Sequence, residues 1–252
     1  MILKIFNKAI NINDFIPPII SKISRHLDKK RRLHPYNYLP ENIQGRWILD
    51  VGANQGDYTI AALKSYPNSK VICFEPVKET FDSLKNNLSN YQDRFVLFNQ
   101  ALSHETGESE INITNFHGAN SILPQSATHK TYNPHVREIK KETIQLVRLD
   151  DVSKKFPTQY IDVLKIDVEG YELNVLKGGT QFLKDHVDTI IIEISMMRDQ
   201  SWQEQSVVDI FLLLKNLGFC LINVIDLAHA DDSKSLILQM DCIFRHSSKL
   251  TK

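Results

Sequence analysis

Residues Leu49–Thr59, LDVGANQGDYT, decide the fold. The stretch leading into them, WILDV from Trp47, is a short apolar run that ends on an acid and then a glycine, as a buried parallel strand does. The stretch leaving them, DYTIAALKSY, has helical character. Gly52 allows a sharp turn at the carboxyl edge of a sheet, and Gly56 allows a helix to start close by. Nineteen residues beyond Gly56, Glu75 closes the next apolar run, KVICFEP, which Pro76 stops. A nucleoside-binding strand–turn–helix unit carries a carboxylate at that point for the two ribose hydroxyls.

The turn departs from the dinucleotide fingerprint. Its spacing is G-x-N-x-G, and Asn54 stands where the second glycine would let the backbone touch a pyrophosphate. An Asn there, with Asp50 before the turn, suits a ligand that lacks phosphates and carries a cationic amino-acid portion. S-adenosylmethionine has that chemistry, with an adenosine, a sulfonium and an amino-acid tail. A nicotinamide-dependent oxidoreductase on a related sheet is the rival, and the G-x-N-x-G turn argues against it. A fold that keeps the pocket without catalysis is a second alternative, which the Asp50, Glu75 and Asp167 set disfavours.

Outward from the turn, the spacing predicts a helix over VKETFDSLKNNLSN, with Phe81, Leu84 and Leu88 on one face, and a third strand over FVLFNQAL. This β-α-β-α-β order calls for parallel strands with right-handed crossovers. Between about 103 and 143 the rhythm breaks. GESEINITN alternates like an exposed strand, and the polar stretch after it is long enough to be functional, so the part from His117 to Arg137 is expected to fold over an acceptor as a lid. The rhythm returns with a strand at YIDVLKIDV, a helix at GYELNVLKGG and a strand at DTIIIEIS. A helix then ends at Gly218, and FCLINVI and LILQMDCIFR read as a closing hairpin.

The segment IDVEG forms a second strand-to-helix edge. Asp167 directly follows an apolar strand, Glu169 lies two residues on, and Gly170 permits the turn. Carboxylates there should border the ligand crevice, where they can bind an ammonium, accept a hydrogen bond from a substrate or hold a divalent metal. Glu172 reads as favourable charge at a helix N-terminus. Glu193, at the end of the next strand, should face the same crevice. A hydroxyl is a poor nucleophile at neutral pH, so a base is expected beside it; the candidates are Asp167, Glu193 and the loop histidines His117, His129 and His135. Tyr58 is placed to pack on the cofactor, while Tyr171 and Trp202 read as packing residues.

DVGANQGDYT, FEP, NQALSHETGE, RLDDV and LKIDVEGYELNVLKGG, in this order, resemble the FkbM family of methyltransferases from about Trp47 to Ser195. The resemblance implies a Rossmann-like seven-stranded methyltransferase sheet, mostly parallel with an antiparallel last strand, here LILQMDCIFR. It implies methyl transfer from S-adenosylmethionine to a hydroxyl, often on a sugar or polyketide-type natural product. By position, Asp50, Gly52, Asn54 and Gly56 would shape the cofactor pocket and Glu75 would hold the ribose. Gln100 and Ala101 would border the adenine, and Asp167 would lie near the methionine portion. His104 departs from the acidic residue typical of that position and reads as part of a surface turn.

The rest of the chain constrains the setting. Its 252 residues, 42% hydrophobic and 24% charged, suit one large domain: an N-terminal helical extension over 1–45 and a methyltransferase domain over 46–248 with the insertion near 103–143. Thirty basic residues balance thirty acidic ones, so no global field points to nucleic acid. In the extension, Ile19, Ile20, Ile23 and Leu27 fall at helical spacing before the run Lys29, Lys30, Arg31 and Arg32; a peripheral membrane contact through this helix is the alternative to docking on the domain. No stretch is long and apolar enough for a spanning helix, no signal peptide is evident, and a cytoplasmic location is expected. Cys73, Cys220 and Cys242 are far apart and read as buried free thiols.

Overall fold

The computed structural model describes residues 47–196, 207–230 and 236–250. The expected N-terminal extension, with its basic run, and Trp202 lie outside the described residues. Strands β1 (Trp47–Val51), β2 (Lys70–Phe74) and β3 (Phe95–Phe98) alternate with helices α1 (Asp57–Ser65) and α2 (Lys78–Asn87). A short β4 (Ala101–Leu102), β5 (Gly107–Thr114), α3 (Ala127–Tyr132) and β6 (Glu138–Val147) follow. Then come α4 (Leu149–Val152), β7 (Ile161–Ile166), α5 (Glu172–Lys177), α6 (Thr180–His186), β8 (Val187–Ser195), α7 (Val207–Asn216), β9 (Phe219–His229) and β10 (Ile237–His246).

The main sheet has seven strands in the order β3-β2-β1-β7-β8-β10-β9. All neighbours pair in parallel except β10, which lies antiparallel between β8 and β9. Strand order reverses between β1 and β7, and a crevice opens at such a switch point beyond the carboxyl ends of the strands. The glycine turn leaves β1 there, and IDVEG leaves β7 beside it.

Central strands read as unbroken apolar runs because both faces are covered. Every residue of β7 is buried, Lys165 included. One face stacks Phe74 on Phe98 at 4.7 Å between ring centres, with Phe156 and then Phe182 packed beyond them. The other face meets α1 and α2 through Tyr58, Ala62, Leu63, Leu84 and Leu88. Each such large side chain contributes about 1.5–3 kcal/mol by leaving water. Cys73 and Cys242 are fully buried and Cys220 half-buried; all three are free thiols.

Two expectations need correction. The third strand does not run through FVLFNQAL: it stops at Phe98, and Ala101–Leu102 pair with β6 in a separate three-stranded sheet, β4-β6-β5. The segment read as unpatterned after β5 contains the start of ten-residue β6. Only Ile144 and Leu146 of that strand are buried, in a small core with Val77, Ala101, Ile111 and Ile113, so Glu138–Lys141 carry no inward-facing apolar signal.

Candidate active site

Gly52 and Asp167 bring the two strand ends together. Gly52 has φ +79°, and a Cβ on it would stand 1.9 Å from the Asp167 carbonyl oxygen, so no side chain fits. Its amide and that of Ala53 both donate to the Phe74 carbonyl at 3.0 Å, tying the turn to β2. Asn54 (φ +51°) and Gly56 (φ +95°) complete the left-handed bend into α1. Asp57, in the first turn of α1, supplies the favourable charge that its uncapped start lacks.

A cavity of about 320 Å³ lies over this crossing. Glu75 stands at one side, buried, with Oε2 accepting the Asn54 amide and Oε1 the Val77 amide, each at 3.0 Å. Burial raises its pKa to about 7 against the lowering effect of those two bonds. Pro76, Val77, Ala101, Leu102 and Ile111 form an apolar wall next to it, as a purine face requires. At the other side stand Tyr58, Asp167, Val168, Glu169 and Tyr171.

The cover is the connection between β5 and β6. Phe116, His117, Gly118, Asn120, Ser121 and Ile122 line the cavity from the insertion. The Ser121 hydroxyl donates to the Glu169 carbonyl at 2.8 Å, joining the cover to the IDVEG turn. Ser121 and Glu169 also line a smaller polar pocket of about 30 Å³ with Gln125, Ser126, His129 and Ser195.

The expected residues thus separate by position. Gly52, Asn54, Tyr58, Glu75, Ala101 and Asp167 line the cavity. Asp50 does not: it is fully buried behind the turn, accepting from the Thr59 hydroxyl at 2.6 Å, because the strand alternation points it toward α1. Gly56 and Gln100 also stand outside the lining; Gly56 acts through the bend. Among the histidines, His117 reaches the cavity and His129 the smaller pocket, while His135 is exposed and lines neither. His104 sits exposed beside Glu105. Glu172 accepts the Gly170 amide at 2.7 Å and the Val168 amide at 3.3 Å, so it holds the IDVEG turn from below. Tyr171, for which the sequence favours packing, meets the Ser103 hydroxyl at 3.2 Å and lines the cavity.

Glu193 does not line the cavity, yet its carboxylate comes within 4.8 Å of those of Asp167 and Glu169, which do. Burial, and then Asp167 and Glu169, raise its pKa well above the carboxylate range. Asp241, directly opposite Glu193 across β8 and β10, is raised to about 7 by burial and by Asp167. Three such carboxylates are oxygen donors that a hard divalent cation accepts, and equally a place to hold a proton; the cluster alone assigns neither.

Two residues escaped the sequence reading. Asp241 interrupts the apolar run LILQMDCIFR, and Lys165 interrupts VLKIDV. A charged residue in a strand buried on both faces is the signal that finds them. The Lys165 ammonium lies 3.1 Å from Asp167, 3.6 Å from Asp50 and 3.3 Å from the Gly52 carbonyl. Burial works against that charge, but Asp167 and Asp50 outweigh it, and the pKa is raised.

Residues 50–221, more than half of the chain, match the family described as the methyltransferase FkbM domain. The chain belongs to the FkbM methyltransferase family. It is 29% identical over 225 residues to methyltransferase sdnD of Sordaria araneosa, covering 79% of this chain and 84% of that protein. It is 28% identical to the 2-O-methyltransferase NoeI of Sinorhizobium fredii, over 54% of this chain and 58% of that protein. It is 31% identical to the hexuronic acid methyltransferase AglP of Haloferax volcanii, over 58% of this chain and 55% of that protein. The chain therefore spans little more than half the length of the last two relatives.

A methyltransferase of this family uses S-adenosylmethionine, and the residues present fit it. The Glu75 carboxylate and the apolar wall beside it suit an adenosine. The Asn54 side-chain oxygen is buried against the cavity with no hydrogen-bond partner and is free to accept from a ligand. The rival oxidoreductase finds no support here. The Tyr-x-x-x-Lys spacing at Tyr66–Lys70 falls between α1 and β2, at the opposite edge of the sheet from the cavity.

Proposed function

We propose that this protein transfers a methyl group to a hydroxyl oxygen of a sugar-like acceptor. The observation that carries the reading is the polarity of the cavity along its length, from an adenosine-type end at Glu75 to the carboxylates of Asp167 and Glu169, with the Glu193 carboxylate within 4.8 Å of both. S-adenosylmethionine, when bound, supplies an electrophilic methyl on a sulfonium that leaves as a neutral thioether. Glu75 accepts the ribose hydroxyls; Asp167, with Asn54, receives the ammonium of the amino-acid tail. The Phe116–Ile122 cover excludes water from the reacting atoms. Glu193, once ionised, takes the proton that the acceptor hydroxyl loses; burial among other carboxylates raises its proton affinity, so the active form grows as the pH rises. Relatives named for 2-O-methylation and for hexuronic acid methylation favour a carbohydrate hydroxyl.

Calorimetric titration with S-adenosylmethionine, for the wild type and Glu75→Ala, tests the cofactor end; micromolar binding that weakens at least tenfold in the variant supports it. Turnover is then followed as S-adenosylhomocysteine release with a panel of methyl glycosides, alongside Glu193→Gln. The variant should bind the cofactor normally and lose about 10²–10⁴-fold in rate, the usual contribution of a general base. Loss of wild-type activity on chelation, restored by magnesium, would instead give the carboxylate trio to a cation.

A further inference from the structure

One ammonium joins three parts of the cofactor cradle. Lys165 projects from the carboxyl end of β7 to the face that α1 covers, where it reaches the Asp50 carboxylate at the end of β1, the Gly52 carbonyl within the glycine turn and the Asp167 carboxylate at the exit of β7. The Tyr58 ring lies 5.8 Å beneath it. Lys165 and Asp50 are buried, and Asp50 Oδ1 has no hydrogen-bond partner, so the ammonium is what neutralises it. The ammonium thus donates to the Gly52 carbonyl and pairs with Asp167, stands 3.6 Å from Asp50 as an ion pair, and borders the same cavity that Asp167 lines.

Stability alone is a poor reason for this arrangement. A buried ion pair generally does no better than apolar residues of the same volume, because desolvation consumes the Coulombic gain. Asp50 and Lys165 alone would satisfy each other within the core. The third contact is different, since Asp167 is a third exposed and opens on the cavity. There the ammonium, itself fixed from behind, holds a carboxylate in one orientation against the left-handed turn.

We infer that Lys165 is a positioning residue that sets the Asp167 carboxylate toward the amino-acid end of the methyl donor. Asp50 anchors Lys165 from the core side. The inference rests on the methyl-donor reading of the cavity. Two carboxylates and one ammonium leave the cluster with a single net negative charge, complementary to a donor whose sulfonium, ammonium and carboxylate sum to a single positive one.

The test compares wild type, Asp167→Asn, the double variant Asp50→Asn/Lys165→Met and the triple variant combining all three. The double variant removes the anchor and the ammonium together, so no buried charge is stranded; Lys165→Met alone is expected to melt earlier or fail to fold. Each protein is titrated calorimetrically with S-adenosylmethionine, S-adenosylhomocysteine and 5′-methylthioadenosine, which lacks the amino-acid end. The expected result is at least tenfold weaker binding of the first two ligands by the double variant and less than twofold change for the third. The triple variant should bind no more than twofold worse than Asp167→Asn, because an unpositioned Asp167 has little left to lose. Double-variant binding of S-adenosylmethionine within twofold of wild type overturns the inference, as does equal weakening of all three ligands or additive loss in the triple variant. Wild-type protein that binds none of the three overturns the methyl-donor reading, and this inference with it.

Discussion

Gly52 and Glu75 show how much a single position decides. Gly52→Ala forces a Cβ into the Asp167 carbonyl and an L-residue into φ +79°, so the β1 and β7 exits must separate. The expected cost is about 1–3 kcal/mol of strain with loss of cofactor binding, read by thermal melting and calorimetry. Glu75 predicts a pH dependence. Folded, it keeps its proton up to about 7, whereas an ordinary glutamate carboxyl releases it near 4.5. The native state therefore binds more protons in that window. The resulting stability is fully present below about 4.5 and lost as the pH rises through about 7, by at most about 3 kcal/mol. Urea unfolding of the apo protein should show this slope in wild type and not in Glu75→Gln. Cofactor affinity should run the other way, rising as the pH passes 7, because the ribose hydroxyls select the ionised form.

Elements differ in how plainly the chain announces them. Residues Leu49–Thr59, with Glu75 beyond them, were legible because a buried strand, a glycine-bounded turn and an acidic strand end each leave a distinct residue type at a fixed place. The antiparallel β10 was legible from its apolar run and from the family resemblance. The β5–β6 sheet was half legible: β5 alternates, whereas β6 packs two apolar side chains and exposes the rest. Asp50 illustrates the reverse problem, since its place at a strand end suggests the ligand and only the observed register turns it toward α1. The β5–β6 connection lines the cavity through residues between Phe116 and Ile122 and through none of α3. Phe116 is 55% exposed and its ring stacks against His117. Phe116→Ala should leave the melting temperature nearly unchanged while raising the KM of donor or acceptor severalfold; an unchanged KM for both would remove the cover from the reaction.

At the scale of the molecule, two sheets share one site with unequal support. The seven-stranded sheet carries the large cores on its two faces, while the three-stranded sheet has a small core of six buried residues. Hydrogen exchange should accordingly find amides of β1, β7 and β8 opening only with global unfolding, and those of β5 and β6 opening earlier. S-adenosylmethionine should slow exchange at Ile111 and over 116–122 more than in β9, because the cavity wall is built from the former. The central position of β10 bears on synthesis as well. Until residues 237–246 leave the ribosome, β8 lacks its partner on one side and β9, the terminal strand, lacks the β10 partner that joins it to the sheet. A nascent chain must therefore carry two unsatisfied edges past α7, and the last strand to emerge both closes them and sets Asp241 opposite Glu193. The acidic pair behind Asp167 is complete only when translation of the sheet is.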